Sequence, residues 1–553
     1  MPRGVLPAWI VAAAMFGSAQ AATFAVDTTL DSLDAAPGDG TCADADGHCS
    51  LRAAIQETNA RAGADTIVLG AGTYAFTIPG SDEDAAASGD LDIDDDLVLQ
   101  GAGAAATVID ANALDGVIDV RPAEGPREVR IEGLTLRNGW LQSGSQAPSS
   151  RHGAGLRVGP GAHVVLAHVD VRDNHLTAFI GAAGIDNSGC LEGHHVRVVG
   201  NRDPAPVGAA HAYAGGVATT GETGCLVLED SEISDNRADY GGAMTVDGFA
   251  PVLLRRTLVA NNTARFSGAL HLNHGTLVRL ESVTISGNAG NPGAILNDGG
   301  TVLQIVDSTI TGNHASGPGA NVGGIQDVHG GFGRTELTNT ILHGNGPGSL
   351  ADDCSNAHSG GGGNVIGDAA HCHYQAGDGD QLDVDPGLGP LADNGGFTRT
   401  HLPGPNAIDR GAATCGATDQ RGVQRPLDGD DDGQSACDAG AVEVGDADVL
   451  FIDGFEEARR RRAGGDDGSP RRSRRAHSSA ARRHGRAGGG LAHHPWQPGH
   501  RFRVRVVETH DGYPHAAATA TSHRPRRSGT SRGSARRDLR RDVDRRYGRH
   551  LAR

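Results

Sequence analysis

The feature that most constrains the fold of this chain is a loose repeat of about 25 residues between positions 100 and 350. Four successive copies read VLEDSEISDNRADYGGAMTV, VLLRRTLVANNTARFSGALHL, VRLESVTISGNAGNPGAILN and LQIVDSTITGNHASGPGANVGGIQ. Each copy has a short alternating strand, an asparagine turn, a polar loop, a glycine step and a second short strand. A strand-based repeat of this length predicts stacked coils, in which each strand pairs with its counterpart in the next coil. The predicted fold is therefore an all-β, parallel β-helix.

Two residue types set the register of the repeat. Glycines recur after the polar loop, at Gly241, Gly268, Gly293 and Gly323. Asparagines recur after the first strand, at Asn236, Asn261, Asn288 and Asn313, and looser copies end at Asn138, Asn174 and Asn201. Asparagine tolerates the left-handed backbone conformation, and stacked Asn side chains can hydrogen-bond to one another. We therefore predict a column of asparagines along the solenoid and an interior of Val, Ile, Leu and Ala.

A single helix is predicted near the start of the chain, in the segment CSLRAAIQETNA. Ser50 is a favourable N-cap, and Leu51, Ala54, Ile55 and Thr58 follow at helical spacing as one largely apolar stripe. The first coil of a β-helix exposes unpaired backbone groups, and repeat arrays need capping units. We therefore expect this helix, through Ser50, Leu51 and Ile55, to close the open end of the solenoid.

Export is predicted from the N-terminal segment MPRGVLPAWIVAAAMFGSAQA, residues 1–21. It has Arg3, an apolar run and an Ala-Gln-Ala cleavage site, which is the pattern of a signal peptide. No later segment has about 18 uninterrupted apolar residues, so no membrane span is expected after cleavage. We expect a secreted or cell-surface protein that acts as a monomer.

Eight cysteines fall into neighbouring pairs along the chain. An even number of cysteines in an exported chain predicts disulfides, and local pairing is the simplest of many connectivities. No C-x-x-C spacing points to zinc. The predicted pairs are Cys42 with Cys49, Cys190 with Cys225, Cys354 with Cys372, and Cys415 with Cys437.

Charge divides the chain into two parts. The sequence contains no lysine, and residues 458–553 hold 26 Arg against 7 acidic residues, whereas residues 1–457 hold 22 Arg against 60. The acidic body argues against nucleic acid as a partner and is compatible with cation binding. The basic tail has no hydrophobic period and reads as disordered. One hypothesis is out-of-frame translation of GC-rich DNA, and the alternative is a tail that binds an anionic surface.

Two segments resemble known modules of exported bacterial proteins. CSLRAAIQETNA resembles the CSLREA domain found at the start of secreted right-handed β-helix proteins, with Ala53 in place of the family's Glu. The text DPGLGPLADNGGFTRTHLPGPNAIDRGAATCGATDQRGVQRPLDGDDDGQSACDAGAVE resembles the choice-of-anchor Q domain that follows such helices. The resemblance implies a right-handed, pectin-lyase-like solenoid at the cell surface or outside the cell. It implies no reaction and no catalytic residues.

These observations divide the chain into six segments. They are the signal peptide (1–21), a CSLREA-like N-terminal cap with the first coils (22–100), the β-helix repeats (101–350), a choice-of-anchor Q-like domain with disulfides (351–445), a short F-x-D-G-F-E ending (446–457) and the Arg-rich tail (458–553).

Two acidic segments are candidate cation sites. Asp428, Asp430 and Asp432, followed by Gly433, match the first half of a calcium loop, although Ala439 stands where the loop's final Glu belongs. The alternative interpretation is a solvated acidic turn. In GDLDIDDDLVLQG, the alternate residues Asp90, Asp92, Asp94 and Asp96 would share one strand face. That face is expected to be polar because it meets water, with cation binding as the alternative.

Catalytic candidates are weaker. A lyase would need clustered carboxylates and a strong base, but Arg255 and Arg256 are adjacent on a strand and would point to opposite faces. A hydrolase would need two opposed carboxylates, such as Asp235 and Asp307, which the sequence cannot bring together. Histidines, such as His194, His195 and His271, show no zinc spacing and are predicted at the surface or in turns.

The leading functional prediction is an exported interaction protein, an adhesin or glycan-binding scaffold without catalysis. Its partner would be an extracellular polysaccharide or a host or cell surface. Trp140 is the only Trp between the signal peptide and the tail, so glycan binding would depend on polar contacts rather than aromatic stacking. The alternative is a polysaccharide lyase or glycoside hydrolase on the same fold.

Overall fold

The structure is a computed structural model that describes residues 21–445, except 82, 123–124, 143–152, 178–180, 205–211, 222–223, 274–276, 318–321, 329–333, 347–352 and 357. The predicted signal peptide up to residue 20, the ending at 446–457 and the Arg-rich tail lie outside the described residues. In the described part of the chain, no helix is both long and apolar enough to cross a membrane.

Three rows of parallel strands build the solenoid, and each full coil contributes one strand to each row. Row A contains Thr23–Ala25, Asp65–Val68, Leu97–Gln100, Arg127–Arg137, Ala162–Arg172, Cys190–His194, Cys225–Glu229, Val252–Arg255, Leu277–Glu281, Val302–Val306, Arg334–Thr338 and His358–Gly362. Row B contains Gly72–Ala75, Thr107–Asp110, the second halves of Arg127–Arg137 and Ala162–Arg172, Arg197–Val199, Glu232–Ser234, Leu258–Ala260, Thr284–Ser286, Thr309–Thr311, Ile341–His343, Val365–Ile366 and Gln381–Leu382. Row C contains Leu91–Ile93, Ile118–Val120, Leu156–Val158, Ile185–Asn187, Val217–Thr219, Met244–Val246, Leu270–Leu272, Ile295–Asn297, Ile325–Asp327 and Cys354–Ser355.

Every pairing between successive coils in these rows is parallel. Leu226, for example, lies opposite Leu191 of the preceding coil and Val252 of the following one. Rows A and B form one 22-stranded sheet because the two long strands run through both rows, and row C is a separate 10-stranded sheet. Two short parallel pairs, Trp140–Gln142 with His175–Thr177 and Ala289–Gly290 with His314–Ala315, lie between rows B and C.

The predicted fold class is confirmed. Parallel crossovers within one sheet are right-handed in nearly all proteins, and the molecule is a right-handed parallel β-helix. Its interior is one continuous cluster of buried residues from Phe24 to Cys372, in which Val, Ile, Leu and Ala predominate as predicted. Alternation along row A produces this interior, because Leu226 and Leu228 point inward while their neighbours on the strand remain partly exposed.

A column of asparagines lines the turn after row B. Each side-chain amide nitrogen donates to the amide oxygen of the next member, at 2.8–3.0 Å, through Asn174, Asn201, Asn236, Asn262, Asn288, Asn313 and Asn345. The last member donates to Asp353 at 2.8 Å. The oxygen of Asn174 accepts the backbone N–H of Gly139, and each later oxygen accepts the backbone N–H of the preceding member, so these buried amides are satisfied.

The structure corrects two members of the predicted asparagine column, Asn138 and Asn261. Asn138 has φ 57° and donates to Asp110 instead of joining the ladder. Asn262, which is buried, belongs to the ladder, whereas Asn261 is exposed and has φ 56°. The prediction assigned the left-handed backbone and the hydrogen-bonded ladder to one residue. In the structure they belong to two adjacent residues, and the left-handed one comes first. Gly287 and Gly312 take the left-handed position in the next two coils.

The glycine column has a similar one-residue correction. Gly242, not Gly241, aligns with Gly268, Gly293 and Gly323, and a Cβ at Gly242 would lie 2.2 Å from the carbonyl oxygen of Gly268. Glycine is therefore required at this position by close backbone approach between coils.

The predicted helix forms at Leu51–Asn59 and packs on the strands Asp65–Val68 and Leu91–Ile93. The Ser50 hydroxyl accepts the backbone N–H of Ala53 at 3.0 Å, so Ser50 is the N-cap of this helix, as predicted. Leu51 and Ile55 are buried.

Arg52 and Glu57, which sequence patterning treats as polar surface, are also buried in this helix. The Arg52 guanidinium donates to Asp31 and to the carbonyl oxygens of Ala86, Gly89 and Asp90, while the Glu57 carboxylate accepts backbone N–H groups. Arg52 thus fastens the helix to the segment at residues 86–90, and Glu57 fastens it to the preceding loop at Gly38 and Gly40.

All four predicted disulfides are present, at Cys42–Cys49, Cys190–Cys225, Cys354–Cys372 and Cys415–Cys437. Such a set is consistent with an extracellular protein. The third bridge fixes the last coils, and the fourth joins two parts of the C-terminal arm, residues 385–445.

The C-terminal arm lies along the outer face of row B. Thr284 donates to Gln420 at 2.6 Å, Thr309 accepts the backbone N–H of Ala441 at 3.0 Å, and Asp307 accepts that of Gly416 at 2.7 Å. Row B strands in these coils are therefore buried on both faces, unlike those of row A.

Candidate ligand-binding groove

The bend between rows A and B carries a column of left-handed residues. Gly133, His168, His195, Asp230, Arg256, Ser282, Asp307 and Asn339 occupy this position, with φ between 47° and 65°. We call the outer surface along this bend, with the last residues of the row A strands, the groove. Between Gly133 and Asn339 it crosses seven coil steps, a length of about 34 Å at the spacing of parallel strands.

Two cavities occupy the groove. The first, about 750 Å³, is lined by Gly101–Gly103, Arg130, Glu132, Val165–His168, Glu192–His194, Val227 and Glu229. The second, about 570 Å³, is lined by Arg255, Arg256, Arg279, Glu281 and residues 414–418 of the C-terminal arm. Glu229 and Arg255, which are joined by an ion pair at 2.6 Å, separate the two cavities. The arm thus forms a wall of the second cavity.

Charges of both signs alternate along the groove. Arg255 donates to Glu229 at 2.6 Å and to Glu281 at 2.7 Å, so it links three successive coils. Arg279 pairs with Glu281 and donates to Gln304 at 3.0 Å. Exposed pairs of this kind contribute only about 0–1 kcal/mol each, so a ligand can replace them at little cost.

The structure corrects the prediction that Arg255 and Arg256 point to opposite faces. Opposite orientation holds within a strand, but Arg256 is the left-handed residue of the bend, with φ 48°. Both side chains therefore line the groove, and Arg256 contacts Asp230 through two hydrogen bonds of 2.7 Å.

Protonation in the groove is set by these pairs. Hydrogen bonds to Asp230 raise the pKa of Arg256. Burial opposes ionisation of Asp230, but hydrogen bonds from Arg256 outweigh it and lower the pKa of this carboxyl. Burial is likewise outweighed at Glu281, whose pKa is lowered by hydrogen bonds from Arg279 and Arg255. These groups therefore remain charged at neutral pH.

Three histidines meet at the middle of the groove. His168 and His195 are successive left-handed residues, and their rings stack with centroids 4.6 Å apart. His194 ends its row A strand and lies 3.0 Å from Asp230 through Nε2. Burial, and the charges of His194 and His168, lower the pKa of His195. His168 and His195 are 27 residues apart, close to the repeat of about 25, and this interval is the sequence signal that places them in successive coils.

Asp235 and Asp307, the candidate hydrolase pair, do not face each other. Asp235 is exposed in the turn after row B, whereas Asp307 is buried in the A–B bend. Asp307 accepts hydrogen bonds from Asn339 and from the C-terminal arm, and Arg425 of the arm lies 3.3 Å away. Asp307 thus holds the arm in place.

In the acidic segment at residues 90–96, Asp92 is buried rather than facing water, whereas Asp90, Asp94 and Asp96 are partly exposed. Asp92 is 1% exposed at the centre of a row C strand, and its carboxylate lies within 4.8 Å of those of Asp90 and Asp119. Burial and the charge of Asp90 raise the pKa of Asp92 to about 8. Burial also raises the pKa of Asp119 to about 6, although Arg157 lies 2.9 Å away. Asp94 and Asp96 follow this strand, so the four aspartates do not share one strand face.

The predicted calcium ligands divide into two groups. Carboxylate oxygens of Asp428 and Asp430 lie within 4.8 Å of one another and of Asp409, a residue that sequence spacing did not indicate. Asp432 accepts the backbone N–H of Gln434 at 2.8 Å and is not part of this group. Burial and the charge of Asp430 raise the pKa of Asp409. Calcium binding by this loop stays a prediction.

Aromatic residues gather outside the groove, near row C. Tyr213, Tyr240 and Phe266 recur at intervals of 27 and 26 residues, and their ring centroids are 5.2 and 4.8 Å apart. His271, predicted at the surface, is buried beneath Tyr240 at 5.6 Å. These rings contact one another, whereas Phe397 of the arm reaches the groove and packs on His195 at 4.6 Å.

No family model matches the chain, and no curated protein matches it. Among solved structures, the crystal structure of pectate lyase Pel9A matches with a TM-score of 0.37 and 15% sequence identity, over 76% of this chain and 96% of that chain. At this level of similarity the match carries no information about activity.

Proposed function

We propose that this protein is an exported β-helix that binds an extracellular polysaccharide in the groove, without cleaving it. The observation that carries the proposal is the groove itself, along which donors and acceptors recur from coil to coil. Its stretch from Gly133 to Arg256, which spans four coil steps or about 19 Å, is not buried, whereas the C-terminal arm covers the bend from Ser282 to Asn339. A polymer of similar units can make similar contacts at successive coils. The resemblance to CSLREA and choice-of-anchor Q proteins is consistent with a role at the cell surface, such as adhesion.

The ion pairs of the groove support recognition of a hydroxylated or acidic chain. Arg255 and Arg279 are each about 40% exposed, and their planar guanidinium groups suit paired oxygen acceptors. Glu229 and Glu281 can accept hydrogen bonds from hydroxyl groups. The binding would be polar, as the scarcity of groove aromatics predicts.

The charge states favour binding over catalysis. Proton abstraction by a lyase needs a base whose pKa lies near the working pH, and the pKa of Arg256 is shifted in the opposite direction. A glycosidase needs one protonated carboxyl, and Asp230 and Glu281 have lowered pKa values. The carboxyl with a pKa of about 8, Asp92, is buried away from the groove.

The test combines retention with product detection. The purified protein is incubated with acidic and neutral polysaccharides, with and without calcium, while retention, new double bonds and reducing ends are measured. We expect retention of at least one polymer without products. The Arg255→Ala/Arg279→Ala double variant should weaken this retention at least about tenfold, which corresponds to about 1.4 kcal/mol.

The matched control is Arg334→Ala, which removes another exposed row A arginine whose ion pair, to Glu336 at 3.3 Å, lies outside the lining of both cavities. It should bind like the wild type. Cleavage products, or equal binding by the double variant and the wild type, would contradict the proposal.

A further inference from the structure

The histidine cluster at the middle of the groove has the donor set of a metal site. Ligand atoms of His194, His195 and Asp230 all lie within 4.8 Å of one another. Two imidazole nitrogens and one carboxylate oxygen suit zinc and neighbouring transition metals, whereas calcium and magnesium prefer oxygen ligands. The repeat creates this set, because residues from two successive coils converge on the bend.

The geometry leaves one ring nitrogen of this cluster available to an ion. Nδ1 of His195 has no hydrogen-bond partner within the described part of the chain, although it is buried. The side chain of His194 is 51% exposed, and His194 lines the first cavity of the groove. Open coordination positions would therefore face the space that a groove ligand occupies.

Arg256 acts on the site in two opposing ways. It holds the Asp230 carboxylate through both oxygens at 2.7 Å, which fixes its orientation as an outer-shell partner does. Its positive charge also repels a cation. A carboxylate has about four lone-pair positions, so Asp230 can retain Arg256 and still offer Oδ2 to a metal.

We propose that His194, His195 and Asp230 bind one divalent transition metal ion of the zinc type in the groove. His168 stacks on His195 and positions its ring. This inference is independent of which polymer the groove binds, and independent of whether it binds one.

The test is zinc binding to the full chain, measured by competition with a chromophoric chelator. Other histidines of the chain can also bind zinc, so the readout is the difference between variants. We expect wild type to bind one equivalent more than His194→Gln or His195→Asn, or to bind that equivalent at least tenfold more tightly. Asn is chosen at position 195 because it tolerates the left-handed backbone.

Two further variants sharpen the test. His343→Ala removes a histidine that lies 3.5 Å from Asp385 outside the groove, and its zinc binding should equal that of wild type. Arg256→Gln removes the competing charge and should tighten binding of the same equivalent severalfold. X-ray absorption of the zinc-loaded wild type should show nitrogen neighbours at about 2.0 Å that His194→Gln reduces.

Equal stoichiometry and affinity in wild type, His194→Gln and His195→Asn would overturn the proposal. Unfolding midpoints of the metal-free variants check their integrity. If His195→Asn is destabilised, the proposal is tested by His194→Gln alone, because the His194 side chain is half-exposed and its replacement should not disturb the fold.

Discussion

Replacement of Asn262 by Ala tests the asparagine ladder at its centre. The Asn262 oxygen accepts the backbone N–H and the side-chain amide of Asn236, at 2.9 and 3.0 Å. The Asn262 amide nitrogen donates to Asn288 and to the carbonyl oxygen of Ile233, both at 2.9 Å. Alanine removes all of these bonds inside a buried turn.

The loss of stability depends on which buried groups are left without a hydrogen-bond partner. The Asn236 backbone N–H loses its acceptor, at about 1–3 kcal/mol for a buried donor. The Asn236 amide still donates to Val198, and the Asn288 oxygen still accepts the backbone N–H of residue 262, so their losses are partial. We expect Asn262→Ala to lower the local free energy of unfolding by about 3 kcal/mol.

Asn261→Gly is the matched control, because it changes the adjacent asparagine. Asn261 is exposed with φ 56°, and glycine already occupies the equivalent position at Gly287 and Gly312. Its expected effect is within about 0.5 kcal/mol.

Hydrogen exchange measured by mass spectrometry suits this comparison, because stability in a repeat array is distributed over individual coils. Faster exchange should be confined to the coils of Asn236, Asn262 and Asn288. An Asn261→Gly effect as large as that of Asn262→Ala would refute the ladder assignment.

Two other predictions concern the acidic clusters. Because the pKa of Asp92 is raised from 3.8 to about 8, the folded state binds more protons than the unfolded state between these values, and stability falls as pH rises through this window. Asp92→Asn should flatten this dependence and stabilise the protein at pH 8 by on the order of 1 kcal/mol or more. The control Asp39→Asn, at an exposed residue, should leave both the pH dependence and the stability unchanged. Urea unfolding of both variants across pH 4–9 checks these expectations. Calcium should raise the thermal unfolding midpoint of wild type, and Asp409→Asn or Asp428→Asn should abolish this shift while Asp432→Asn should not; an unchanged shift in the Asp409 variant would contradict the cluster assignment.

The sequence was most informative where one local rule acts alone. Ser50 caps its helix because a hydroxyl before an apolar stripe has few other roles, and neighbouring cysteines such as Cys190 and Cys225 pair because successive coils hold them opposite each other. Where two structural features occupy adjacent residues, the prediction placed the ladder one residue too early, at Asn261 instead of Asn262.

The groove was hidden because it depends on contacts between coils. Strand alternation predicts opposite faces for Arg255 and Arg256, and only the left-handed bend brings both to one side. Asp92 appeared exposed because its strand alternates, although the structure buries it beside Asp119. The burial of row B by the C-terminal arm has no signal within either segment alone.

The proposed binding surface is tested most directly by hydrogen exchange of the protein with and without a retained polysaccharide. Binding in the groove predicts slower exchange at the ends of the row A strands and at the A–B bend, including residues 130–133, 165–168, 192–195 and 227–230, with row C unchanged. Protection centred on row C, with the groove unaffected, would contradict it.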